Sequence, residues 1–237
     1  MDDVQKQIVE LVKNVGPPDP IHYVDYAVEE LAKDTLNNFI RTCDYCEECS
    51  EGTKSLVSGN PHGAIMIIGE HVIESQSDKD YVYPYENTEE GNLINEALDK
   101  CNANKEQIIW MNVVNCFTHK KIGKETLRRA PSSSEINNCK CYIDYAIDAF
   151  KPLYIRVIGN IALNVFKKNT TIDKEHGKWF YIRDNIQAMA TYAPSTIKQL
   201  ESIQDDFAGD YKEDFFKDIA SVFIKAKEDY PDSDVIL

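Results

Sequence analysis

Four short runs of apolar residues, separated by amphipathic stretches, constrain this chain more than any other feature. The first, Ala64-Ile65-Met66-Ile67-Ile68, ends in Gly69-Glu70, and the others cover residues 108–114, 153–159 and 188–193. Runs this short and this apolar suit strands buried on both faces of a parallel sheet. Between them, residues 91–101, 134–150 and 160–166 carry apolar positions at helical spacing. The alternation predicts an α/β fold, a three-layer α/β/α sandwich around a four-stranded parallel sheet. Open sheets of this kind bind ligands beyond the carboxyl ends of their strands. That rule nominates Glu70 and the residues just after it, Asn112 onward, Gly159 onward, and residues 191–196.

At 237 residues the chain suits one well-buried domain. It reads as a helical extension over residues 1–42, a core over 43–198 and a closing helical region over 199–237. No apolar run approaches the roughly 20 residues that cross a bilayer. The amino terminus, Met1-Asp2-Asp3-Val4, lacks the basic and apolar regions of a secretory signal. The expectation is a cytoplasmic protein in a reducing compartment, with no membrane partner. A net charge of −14 argues against broad affinity for nucleic acid. Basic residues do gather in 119–129, where Lys120, Lys121, Arg128 and Arg129 form a local patch that can grip phosphate. The acidic surface is a candidate contact for a protein partner.

The spacing Cys43-x-x-Cys46-x-x-Cys49 is a strong local signal, because thiolates two residues apart can bind one metal centre. Cys116 comes after the second apolar run, and Cys139 and Cys141 open a later amphipathic stretch. A four-thiolate site would use Cys43, Cys46, Cys116 and Cys139, with Cys49 and Cys141 as neighbouring replacements. Zinc and an iron–sulfur cluster both suit such a set.

Taken in order, the blocks resemble a known family. They run from the CxxC through Gly59-Asn60-Pro61 and Gly69-Glu70 to Pro84-Tyr85 and Asn112-Val113-Val114-Asn115-Cys116. They continue with Pro131, Glu135 and Cys139, Ile158-Gly159-Asn160, and Thr191-Tyr192-Ala193-Pro194-Ser195. The series is similar to the family-4 uracil-DNA glycosylases, which hold a 4Fe-4S cluster, and to relatives with a longer loop before the last cysteine. The resemblance spans about residues 43–198. It implies the uracil-DNA glycosylase fold and a DNA partner carrying a flipped pyrimidine. It favours the iron–sulfur cluster over zinc, with Cys43, Cys46, Cys116 and Cys139 as ligands. It implies that Glu70 positions or activates the attacking water, with His71 beside it as a catalytic candidate. Tyr85 would stack on the extruded base, Asn112 would read its edge, and position 193 would face it. Ser195 and Lys198, on and beside the last loop, would press on the DNA.

The same blocks depart from the family in three places. Position 193 is alanine where the family carries histidine, and a methyl group cannot donate to a developing oxyanion. The loop Gly69-Glu70-His71-Val72-Ile73 lacks the proline and second glycine of the family's Gly-Glu-Ala-Pro-Gly. The longer loop, at Leu127-Arg128-Arg129-Ala130-Pro131, has no histidine for covalent attachment to the base. Three readings are open: a glycosylase for uracil or a modified pyrimidine, an inactive DNA- or protein-binding member, and a relative repurposed to modify a pyrimidine.

Overall fold

The computed structural model describes residues 20–46, 52–122, 125–183 and 186–230, with side chains for all of these except 20–26, 121, 122, 125 and 126. Cys49 and residues 1–19 and 231–237 of the terminal regions therefore lie outside the described residues, as does the side chain of Lys121.

The four apolar runs form the strands β3 (Ile65–His71), β5 (Ile108–Val114), β8 (Tyr154–Ile158) and β10 (Ile186–Thr191). All pair in parallel, in the spatial order β5-β3-β8-β10. The sheet is nevertheless six-stranded and mixed, which corrects the expected four-stranded parallel sheet. The two-residue strand β2 (Ser58–Gly59) joins β5 antiparallel, and β9 (Trp179–Arg183) joins β10 antiparallel. The physical reason lies at the edges. An edge strand keeps one side open to water, so β9 is half-buried along most of its length, and it runs antiparallel, outside the strand–helix alternation that marks the parallel strands. Two short pairs complete the strands, β1 (Lys54–Ser55) with β4 (Tyr81–Val82) and the antiparallel hairpin β6 (His119–Ile122) with β7 (Glu125–Arg128).

Chain direction decides which helices cover which face. The helix α1 (Pro20–Thr42) precedes the sheet, and α2 (Glu89–Lys100) connects β3 to β5. The helix α3 (Ser133–Phe150) connects β5 to β8, while α4 (Asn160–Phe166) and the short α5 (Ile172–Glu175) come after β8. The step β3 to β5 runs one way across the sheet and the step β5 to β8 runs back the other way. Right-handed crossovers therefore put α2 on one face and α3 and α4 on the other. The terminal helices α6 (Pro194–Ser202) and α7 (Ala208–Asp229) join α2, and α1 packs on α3. Among the described residues no helix is long and apolar enough to cross a membrane.

The helix starts carry local causes. Ser132 caps α3 and forms a reciprocal capping box with Glu135, and Thr88 caps α2 through the Gly91 amide. Strand order reverses beside β3, which makes its carboxyl end the switch point of the sheet. Glu70 and His71 sit there.

Candidate functional site

The centre of the site is a residue without a side chain. A Cβ on Gly69 would lie 2.5 Å from the Asn112 Oδ1 and 2.6 Å from the Tyr85 hydroxyl. Any side chain there would force Asn112 or Tyr85 to move, and the contacts show that both converge on the end of β3. Register explains half of this, since Gly69 pairs with Asn112 across the β3–β5 ladder. Asn112 is buried, and its Nδ2 donates to the Ser55 Oγ at 3.0 Å, which turns the amide oxygen toward Gly69.

Tyr85 arrives from a strained turn. Its φ is 61° and that of Asn87 is 56°, both in the left-handed region. An aromatic residue there costs on the order of 1–3 kcal/mol and persists only where its surroundings fix it. The fixing contacts are present. Gln76 Nε2 donates to the carbonyls of Tyr83 (2.9 Å) and Glu86 (3.1 Å), and Thr88 Oγ1 donates to that of Tyr85 (2.7 Å). Burial raises the phenol's pKa above its usual range, with the neighbouring Glu70 and Glu90 charges adding to it. Tyr85 therefore stays neutral.

Glu70 faces the opposite side of β3, where its Oε1 accepts from the Ile161 amide at 2.8 Å. Gly159 has a φ of 89°, and a Cβ there would lie 2.4 Å from the same oxygen. This glycine is thus required both by its backbone and by the carboxylate it admits. Burial raises the Glu70 pKa, opposed by the Ile161 hydrogen bond and by the charge of Arg128.

His71 lies two residues past Gly69 and so on the same face of β3. It is buried, and its Nε2 lies 3.3 Å from Arg128 Nη2. A guanidinium only donates, so this ring nitrogen accepts and the imidazole is neutral. Burial lowers the pKa of His71 from 6.5 to about 4, and Arg128 pushes the same way. The unfolded chain binds a proton below 6.5 that the native imidazole refuses until about 4. Stability should therefore fall as pH drops through that window, by about 3 kcal/mol from this group. Urea unfolding of wild type and His71→Gln across the window checks this. The variant should lose that part of the slope, and an unchanged slope would refute it.

The two consecutive arginines separate. Arg129 is held by Glu135 through two bonds of 2.8 and 2.7 Å, and its Nε donates to the His119 carbonyl at 3.0 Å. Arg129 pulls the Glu135 pKa down to about 2, and together they tie the β6–β7 hairpin to the start of α3. Arg128 leans the other way, into the site. Lys120 is exposed on the hairpin. Lys198 pairs with Glu89 at 2.9 Å, and Ser195 is half-buried in the first turn of α6. Ala193 is the residue before α6 and offers no side-chain donor.

The cysteines gather behind α1 and α3. Cys43, Cys46, Cys139 and Cys141 are free thiols, and Cys116 is disulfide-bonded. Burial pushes the Cys139 thiol up to about 12, and Cys43, Cys46 and Cys141 all lie near enough to add to the shift. The Asn115 backbone hydrogen-bonds to Cys139, which brings the end of β5 to the same place. Asn138 Nδ2 donates to the Cys46 sulfur at 3.3 Å. Among the described residues no set of three or more His, Cys, Asp or Glu side chains is arranged as a finished metal site. The thiols are of the donor type that a thiolate-bound centre uses, with Cys116 available to one only once reduced. Cys101 lies apart and donates to the Leu98 carbonyl at 3.3 Å.

Sequence reasoning placed Glu70, Tyr85 and Asn112 in the site and gave no role to Ser55, Gln76 or Ile161. Ser55 and Gln76 carry no local signal. Ile161 was reachable through the strand-end rule, since it lies two residues past Gly159. The family model for the uracil DNA glycosylase superfamily matches residues 56–220, well over half of the chain. No curated protein matches it. The matched segment contains Glu70, Tyr85, Asn112, Arg128 and Ala193, and the chain belongs to the uracil DNA glycosylase superfamily.

Proposed function

We propose that this protein excises uracil or a modified pyrimidine from DNA by hydrolysing the N-glycosidic bond. The observation that carries the reading is the convergence of Asn112 and Tyr85 on Gly69, with the Glu70 carboxylate on the other side of β3 but near enough for its charge to act on the Tyr85 phenol. Tyr85 is a neutral ring on which an extruded base can stack, and extrusion costs a few kcal/mol that stacking partly returns. The Asn112 amide is oriented by Ser55 and so discriminates at the base edge. Glu70, tethered by the Ile161 amide, holds a water and takes its proton as the water oxygen bonds to the anomeric carbon. The bond to the base breaks with its electron pair leaving on the base, which departs as an anion.

The DNA would run over the β6–β7 hairpin, where Lys120 meets phosphate. Such binding is weak at physiological salt and falls steeply as salt rises. Cys43, Cys46, Cys116 and Cys139 would hold a 4Fe-4S cluster, with Cys141 as the replacement nearest to Cys139. Bound there, the cluster supplies a cross-link between α1, the end of β5 and α3. Protein purified without oxygen should be brown and lose its visible absorbance on Cys139→Ala. A colourless protein carrying zinc would refute the iron assignment.

A second reading rests on Ala193. Without the loop histidine, the protein would bind DNA or a partner protein without cutting. Incubation with uracil-containing single- and double-stranded oligonucleotides separates the two. Alkali-labile abasic sites support excision, and DNA retained with every base in place supports the binding subunit.

A further inference from the structure

We infer that Arg128 is the electrophilic group of this site, its guanidinium meeting the anion that forms on the departing pyrimidine. This rests on the excision reading and answers the gap left at Ala193.

Three observations carry it. The first is position. Arg128 ends β7, and its Nη2 reaches His71 on the face of β3 that Gly69, Asn112 and Tyr85 also share. Arg129, anchored on Glu135, fixes the hairpin from which Arg128 is presented.

The second is charge. The chain has 40 acidic residues against 26 basic ones, yet among the described residues no carboxylate lies within ion-pair distance of Arg128. Its one hydrogen-bonding partner there is the neutral ring of His71. A half-buried cation left without a counter-ion in so acidic a protein is a donor set aimed at an incoming electron-rich group. Arg129, one residue on, is saturated.

The third is its relation to Glu70. The two are close enough for the guanidinium to act on the carboxylate but are not paired. A substrate lying over the carboxyl end of β3 would meet Glu70 from one side of the strand and Arg128 from the other, its developing sugar cation toward the first and its developing base anion toward the second. Preorganised opposite charges on the two sides of a breaking bond are what heterolysis requires.

Single-turnover excision of uracil-containing oligonucleotides tests this. Arg128→Ala should lower the rate by about 10²–10³, the usual weight of one oxyanion donor, a far larger change than any in its affinity for uracil-free DNA. Arg128→Lys, which keeps the charge, should retain part of the rate. Loss of the cation beside Glu70 should also move the acid limb of the pH–rate profile upward. Ala193→His in the Arg128→Ala background should restore part of the loss. If both Arg128 variants excise at the wild-type rate, or lose only affinity for DNA of any sequence, the assignment is overturned and excision stands. If wild type leaves uracil in place, the excision reading fails and takes this assignment with it.

Discussion

Glu70→Gln should lower single-turnover excision by about 10²–10⁴, the span of a positioned proton acceptor, while the protein remains folded and keeps its affinity for DNA. The substitution is nearly isosteric, so the Ile161 amide keeps an acceptor and Gly159 keeps its neighbour. Only the ability to take a proton is lost. The wild-type profile supplies a second check. Burial raises the pKa of Glu70, and the carboxylate works only when ionised. Activity should therefore fall on the acid side at a pH above the ordinary carboxylate range, and that limb should vanish in the variant. Equal rates in wild type and Glu70→Gln would remove the carboxylate from the chemistry. Abasic-site formation in a rapid-quench experiment gives the rate, and fluorescence anisotropy gives the affinity.

The four central strands were legible because both of their faces are buried, which forces a continuous apolar run. The edge strands were not. β2 is two residues long and leaves no pattern, and the apolar run at the start of β9 falls outside the strand–helix alternation because the strand pairs antiparallel at the sheet edge. Glu70 and Asn112 were legible through the strand-end rule alone, without reference to a family. Tyr85 was legible as a residue but not as a conformation, since its positive φ depends on Gln76 and Thr88 grasping the turn from elsewhere. Arg128 and Arg129 were indistinguishable in the sequence. The difference between them is made by Glu135, six residues beyond Arg129, which takes one guanidinium and leaves the other. The choice among Cys116, Cys139 and Cys141 as thiolate donors is equally a matter of tertiary placement, which spacing does not encode.

Arg156 shows the opposite failure, a charge hidden inside the third apolar run. It is fully buried at the middle of β8, and burial lowers its pKa to about 10, with Asp218 opposing the shift. Its Nη2 donates to Ser221 Oγ at 2.9 Å, while Nε and Nη1 have no hydrogen-bond partner among the described residues. Asp218, on α7, is itself buried and its pKa is raised. His176 Nδ1 lies 3.4 Å from the Asp218 Oδ2, and the His176 ring packs on Tyr192, ring centroids 4.7 Å apart. The two buried charges thus lie behind the loop that presents Ala193. Arg156 and Asp218 act on each other without a direct ion pair, so removing the Asp218 charge leaves Arg156 less compensated and costs on the order of 1–3 kcal/mol. Asp218→Asn should therefore lower the melting temperature by about 2–12 °C for a chain of this size. Replacing both partners with apolar residues, Arg156→Met with Asp218→Leu, removes the stranded charge and should recover most of that loss. The double variant also asks what the pair is for. If it melts like wild type yet excises uracil more slowly, the charges serve to fix α7 and the 191–195 loop against the sheet rather than to stabilise the fold. If Asp218→Asn melts with wild type, Asp218 does not carry the countercharge, and Arg156 is held by its packing and Ser221.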